Sequence, residues 1–185
     1  MRIHGRTSAH EFLGNFVVYR NLVPEDPRLP PLSELRPAPG LPDHFVPRKN
    51  QPEYAQVIVH LLRAAQELRK PGRPLQRLIY VGDTQLNDGT AFGNISQAGR
   101  WPGMAFIGAD RTAPPHVDVI RDGQRTLYVA NRWRAIDAFD EFCTDEGFPV
   151  DETTAVIVDL DKTALGARGR NDHVINAARV EEVRR

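Results

Sequence analysis

The sequence predicts an α/β fold: a mainly parallel sheet covered by helices on both faces. Three observations carry that expectation. Segments of strand length alternate with segments of helical period between residues 53 and 159. The strand segments are short, continuous and apolar, as strands buried on both faces are. Two of them end in aspartates: Ala155–Val158 runs into Asp159, and Arg77–Val81 into Gly82-Asp83. The carboxyl ends of parallel strands are where ligands bind in open α/β sheets.

The chain has 185 residues, a length for one domain with room for an extension, and 41% of them are hydrophobic, enough for a core. Its 24 Lys and Arg balance 24 Asp and Glu, so no bulk charge favours nucleic acid or an acidic partner. Cys143 is the only cysteine, which excludes an internal disulfide. Beside Phe142 in a helical stretch, it reads as a small buried hydrophobe. Met1–His10 lacks the apolar centre of a signal peptide. No run approaches the ~20 apolar residues of a membrane span. A soluble, cytoplasmic protein is the expectation.

Two regions divide the chain. Residues 1–47 hold a strand at Phe16–Tyr19 and a proline-rich arm; prolines are dense from Pro24 to Pro52, which makes that stretch irregular and extended. Either a linker or an arm packed over the domain fits that composition. Residues 48–185 form the α/β domain. Glu53–Arg69 is its clearest helix, with Tyr54, Val57, Ile58, Leu61, Leu62, Ala65 and Leu68 in one apolar stripe. Pro52 suits the first turn, and Pro71-Gly72 stops the helix. His60, on the polar side, reads as a solvated residue.

Arg77–Val81 is a buried strand. A short helix follows Gly89, with Phe92 and Ile95 inward and Gly99 as its stop. Met104–Gly108 is the next strand. Asp110–Asp118 reads as a loop and Arg121–Gln124 as a turn signalled by Asp-Gly. Thr126–Ala130 is a strand, and Arg132–Glu146 a helix with Trp133, Ile136, Phe139 and Cys143 on one side. After the strand at 155–158, a last helix is expected from Asp172 to Arg185, capped by Asn171. Trp101 and Trp133 read as packing residues.

The chemistry concentrates at two strand ends. In Asp159-Leu160-Asp161-Lys162-Thr163, the two aspartates point the same way if the chain stays extended across Leu160. Carboxylates that close repel, so a proton or a cation belongs between them. Gly82-Asp83-Thr84-Gln85-Leu86-Asn87-Asp88 repeats the pattern: Gly82 permits a tight exit from the strand, and Asp83 projects from the edge. Asp88 alone could be a helix cap. If the two strands are neighbours, Asp83, Asp88, Asp159 and Asp161 converge. Hard oxygen ligands without histidine or cysteine suit Mg²⁺ rather than zinc.

These two motifs resemble those of the haloacid-dehalogenase-like (HAD-like) hydrolases. Asp159–Thr163 is similar to the family's Asp-x-Asp-x-Thr signature. Gly82–Asp88 is similar to its Gly-Asp-(x)n-Asp metal motif, and Gly103–Gly108 to the strand that follows it. Lys49, in Lys49-Asn50-Gln51-Pro52, occupies the place of the family lysine, with Arg48 as the neighbouring alternative. The resemblance covers residues 48–175 and implies a Rossmann-like, three-layer sandwich without a large cap. The motif order is reversed, because the nucleophile motif opens the family domain but lies near the end of this chain. The Ser or Thr motif at the family's next strand end has no counterpart. The domain is therefore circularly permuted, or a decayed copy followed by the start of a second, or a partial and inactive relative.

The resemblance implies a Mg²⁺-dependent phosphohydrolase acting on a small phosphate ester through an aspartyl-phosphate. Asp159 is then the nucleophile, Asp161 the acid and base, and Lys49 the cation that neutralises phosphate. Asp159, Asp161, Asp83 and Asp88 form the metal set. Thr163, Lys162 and Thr84 contact substrate, although Thr163 could equally fix the turn, and Asn87 supports the loop. Arg168, Arg170, Asn171 and His173 read as a polar loop and helix cap. Without a cap-sized insertion the site is open, to be roofed by a partner subunit, as in a homodimer, or by the arm. The alternative is a catalytically silent binding or scaffold domain, or the first part of a longer HAD-like protein.

Overall fold

The computed structural model describes residues 16–35, 45–109 and 111–164, apart from the side chains of Asp161 and Lys162. The helix expected at 172–185, and Arg168, Arg170, Asn171 and His173, lie outside the described residues.

Helix α1 spans Pro52–Arg69, β1 Arg77–Gly82, α2 Thr90–Gly99, β2 Gly103–Gly108, β3 Val117–Asp122, β4 Arg125–Ala130, α3 Ile136–Asp145 and β5 Thr154–Val158. The strands make one sheet in the order β3-β4-β2-β1-β5. β1 is parallel to both β2 and β5, and β2 is parallel to β4. Only β3 is antiparallel, to β4. The expected α/β architecture with a mainly parallel sheet is therefore present.

Alternation along the buried strands sends successive side chains into two separate cores. Leu78, Tyr80, Ala105, Ile107 and Ala155 join Val57, Ile58 and Leu61 of α1 and Phe92 and Ile95 of α2 in the first. Ile79, Met104, Phe106 and Tyr128 join Phe139 and Cys143 of α3 in the second. Phe106 meets Phe139 and Trp133 with ring centroids 5.6 and 5.7 Å apart. Burial pushes the Cys143 thiol up to about 11, with the Asp140 charge adding to the effect, so the thiol stays protonated and packs as a hydrophobe.

Where it is described, up to residue 35, the arm packs on the domain. Leu22 and Leu29 are buried in the first core beside α1. Glu34 and Leu35 line a groove with Val59, His60 and Arg63 on a second side of α1. Val59 is therefore buried although the helical stripe omits it, while Leu68, placed in that stripe, is 40% exposed at the far end. The strand expected at Phe16–Tyr19 is only a single antiparallel bridge, Val18 to Pro24. Proline has no amide donor with which to extend the ladder.

Buried Asp26 makes a local clamp within the arm. Its carboxylate accepts from Arg28 Nη2 at 2.6 Å and Nε at 3.0 Å, and from the Arg28 backbone N–H at 2.9 Å. Those Arg28 bonds hold its carboxyl at about 2, below its ordinary 3.8. A depressed carboxyl adds stability that is complete above the ordinary value and is lost as pH falls through the folded value. Between pH 5 and pH 2 the urea midpoint of the wild type is expected to fall further than that of Asp26→Asn. Equal falls would remove Asp26 from the acid response.

Two boundaries differ from the sequence reading. The loop at Asp110–Asp118 and turn at Arg121–Gln124 conceal β3, whose apolar residues Val117, Val119 and Ile120 are all more than a third exposed. An edge strand paired on one side shows no buried face in its sequence. Its signal was the turn itself: Gly123, at φ 59°, makes the two-residue hairpin loop to β4. The helix expected over Arg132–Glu146 begins as a tight turn, Trp133–Ala135, before α3, and Ile136 is 39% exposed rather than inward. Gly99 ends α2 for a steric reason, since a Cβ there would collide with the Trp101 ring. The left-handed residue is Arg100, at φ 59°. Among the described residues no helix is long and apolar enough to cross a membrane.

Candidate active site

β1 is the strand from which the chain departs in both directions. From β1 the chain reaches β2 on one side by way of α2, and β5 arrives on the other side after α3. The crevice at the carboxyl ends of such a pair is the topological switch point, where open α/β sheets hold ligands. The register pairs Val81 with Val158. The Asp159 N–H then donates to the Val81 carbonyl at 2.9 Å, extending the parallel ladder by one residue and fixing Asp159 beside the exit of β1.

Both strands then turn abruptly. After Thr84 the chain makes a wide helical turn over Gln85–Gly89, and after Asp159 another over Leu160–Ala164. The second turn removes the extended backbone on which a shared direction of Asp159 and Asp161 depended. Extended geometry ends at Asp159, whose carbonyl accepts from Ala164 N–H at 3.2 Å. The period-2 rule does not carry past that point. The side chains of Asp161 and Lys162 lie outside the described residues.

Asp83, Asp88 and Asp159 converge, each offering an oxygen within 4.8 Å of the others. Asp88 is 1% exposed. Its Oδ2 accepts from the N–H of Asp83 at 3.1 Å, the N–H of Thr84 at 2.8 Å and the Thr84 hydroxyl at 2.8 Å. Its Oδ1 accepts from the Tyr80 hydroxyl at 3.0 Å and from the Lys49 ammonium. Thr84, expected against substrate, therefore spends its donors on the loop. A buried carboxylate with five hydrogen-bond donors is an anchor for the turn that presents Asp83.

The same ammonium bonds Asp159 Oδ1 at 2.6 Å, and Thr163 donates to Asp159 Oδ2 at 3.2 Å. Thr163 thus orients the Asp159 carboxylate. Lys49, not Arg48, enters the cluster because the Arg48–Gln51 turn is clamped. The Arg48 N–H bonds Gln51 Oε1, the Gln51 N–H bonds the Arg48 carbonyl, and Asn94 Nδ2 bonds the Asn50 carbonyl. Burial works against the Lys49 charge, but hydrogen bonds to Asp159 and Asp88 outweigh it and raise the ammonium above its ordinary value. Burial likewise acts to raise Asp88, and the Lys49 and Thr84 donors reverse it, holding the carboxyl below its ordinary value.

Two tyrosines complete the cluster, and neither motif contains them. Tyr80, in the middle of β1, bonds Asp88 and lies beneath the ammonium, 5.6 Å from ring centroid to Nζ. Tyr54, in the first turn of α1, has its phenol raised mainly by burial, with the Asp159 and Asp88 charges adding to the effect and the Lys49 charge opposing it. The signal for Tyr80 was a hydroxyl in an otherwise apolar strand, which needs a partner when buried.

Gly82 is the steric condition for this arrangement. A Cβ there would lie 2.5 Å from Cγ of Asp88. Gly82→Ala is expected to cost about 1–3 kcal/mol, as overpacking does, and to displace Asp88. Urea unfolding checks it; a change below about 0.5 kcal/mol, the level of an ordinary surface substitution, would contradict the close packing. Compared with protein-family models, curated proteins and solved structures, the chain gives no significant match in any of the three.

Proposed function

We propose that this chain is a Mg²⁺-dependent phosphohydrolase of HAD-like type, acting on a small phosphate ester. One observation carries the reading: Asp88 and Asp159 share the Lys49 ammonium, and Asp83 offers an oxygen within 4.8 Å of both, at the switch-point end of two adjacent parallel strands. Parallel neighbours need not be consecutive in sequence, so a permuted motif order does not prevent assembly.

The donor set fits Mg²⁺. Three carboxylates without histidine or cysteine are hard ligands. Against a single ammonium they leave the cluster with a formal charge of −2, which opposes a phosphate dianion. Asp83 and Asp159 would hold the ion, with Asp88 behind them as the loop anchor. When bound, the ion supplies the positive charge that offsets the phosphoryl oxygens in the transition state.

The chain's own groups do the rest. An Asp159 carboxylate oxygen attacks phosphorus, the ester P–O bond breaks, and the leaving oxygen takes a proton from the Asp161 carboxyl. Water, giving its proton to the Asp161 carboxylate, then attacks the aspartyl-phosphate at phosphorus. Phosphate leaves and Asp159 is restored. Throughout, Lys49 balances charge on Asp159 and the transferring group. Thr163 holds the Asp159 carboxylate in one orientation.

The test is hydrolysis of p-nitrophenyl phosphate and a panel of small phosphate esters, with Mg²⁺ and with EDTA. Turnover with Mg²⁺ that EDTA removes is the expected result. No turnover across the panel would overturn the assignment. A catalytically silent domain, or part of a longer protein, is favoured by one observation: among the described residues β5 is the sheet edge. No described strand lies beyond Asp159 to carry the family's Ser or Thr.

A further inference from the structure

We infer that Tyr80 is a positioning residue, whose hydroxyl fixes how the Lys49 ammonium is shared between Asp88 and Asp159. The inference rests on the reading of this cluster as a phosphate site. Tyr80 is 1% exposed, on the sheet face whose other members are apolar: Leu78, Ala105, Ile107 and Ala155. A phenylalanine would fill that core without bringing a polar group into it. The hydroxyl reaches a single described acceptor, Asp88 Oδ1, at 3.0 Å.

The division of donors on Asp88 gives that bond its consequence. Oδ2 is occupied by the Asp83 and Thr84 N–H groups and the Thr84 hydroxyl. Among the described residues, Oδ1 accepts from Tyr80 and Lys49 alone. A buried carboxylate oxygen deprived of one donor draws harder on the one that remains. Without the Tyr80 hydroxyl, Lys49 shifts toward Asp88 and releases Asp159 Oδ1, which it now holds at 2.6 Å. Asp159 is the more exposed partner, at 20% against 2% for the Asp88 side chain. Water therefore replaces the ammonium more readily there. The Tyr80 ring, 5.6 Å from Nζ, supports the ammonium by its face. Tyr80→Phe keeps the ring and isolates the hydroxyl.

The experiment is NMR on protein labelled with ¹⁵N-lysine and ¹³C-aspartate, reading hydrogen-bond couplings from Lys49 Nζ to the carboxylate carbons. In the wild type, couplings to both Asp88 and Asp159 are expected. In Tyr80→Phe the Asp159 coupling is lost and the Asp88 coupling remains. In parallel, kcat on the best phosphate ester falls about tenfold with KM little changed, the size of one hydrogen bond to a charged group. Unchanged couplings in the folded variant overturn the inference, as does a wild type with no Asp159 coupling. If Tyr80→Phe does not fold, the wild type still decides, because a Tyr80 hydroxyl proton without coupling to Asp88 overturns it. A wild type with both couplings but no turnover sinks the phosphohydrolase reading and leaves the positioning role standing.

Discussion

Asp159→Asn is expected to lower Mg²⁺-dependent phosphate release by at least about a thousandfold, the scale seen when a nucleophile is removed from a group that acts as a unit. Asparagine has the same shape and keeps one carbonyl oxygen for the Lys49 ammonium. The Asp159 side chain is 20% exposed, so the amide is not stranded in the core. The fold should survive, with helix content and urea midpoint close to wild type. The loss then belongs to chemistry, because an amide can neither attack phosphorus as an anion nor hold a divalent cation as a carboxylate does. Steady-state hydrolysis of p-nitrophenyl phosphate beside circular dichroism makes the measurement. Turnover within about threefold of wild type, far below the loss a removed nucleophile causes, would exclude Asp159 as the nucleophile.

Asp88→Ala should act on stability before it acts on rate. The substitution strands the Tyr80 hydroxyl, two backbone N–H groups and the Thr84 hydroxyl, and deprives Lys49 of its buried partner. Breaking a buried, hydrogen-bonded ion pair costs about 3–5 kcal/mol; Lys49 is part-exposed and keeps Asp159, so about 3 kcal/mol is expected. Urea unfolding by linear extrapolation measures it, and a loss below about 1 kcal/mol, the ordinary effect of a point mutation, would sink the anchor role.

The pH dependence of that pair has a definite sign. The Asp88 carboxyl is lowered, so its contribution is present above the ordinary carboxyl value of 3.8 and is lost as pH falls through the folded value. The Lys49 ammonium is raised, so its contribution is present below the ordinary 10.5 and is lost as pH rises through the folded value. The difference in stability between wild type and Asp88→Ala should therefore be flat between those limits and shrink outside them.

Much of the fold was legible in the chain. Strand-length apolar runs at Arg77–Val81, Met104–Gly108 and Ala155–Val158 can hide their backbone polar groups only in a ladder, and the helical stripe of Glu53–Arg69 needs a sheet to cover. β3 was not legible, because its burial pattern is that of a solvated edge and its ladder comes from β4, set by Gly123. The two acidic strand ends were legible as carboxylates that converge if the strands are neighbours, while the partners of the residues beside them were not. Thr84 and Thr163 turn toward Asp88 and Asp159, and nothing in a one-dimensional motif says which oxygen a hydroxyl will meet.

By itself, then, the sequence determined an α/β domain with carboxylates at the ends of β1 and β5, because period and composition are local properties of a chain. Only the tertiary structure decided that β5 lies beside β1, that Lys49 rather than Arg48 joins the acids, and that Tyr80 supports them from below. β5 pairs with β1 between residues such as Val81 and Val158, Lys49 reaches acids 110 and 39 residues away, and Tyr80 reaches one 8 residues on. These pairings are fixed by strand register, a clamped turn and the need of each buried polar group for a partner.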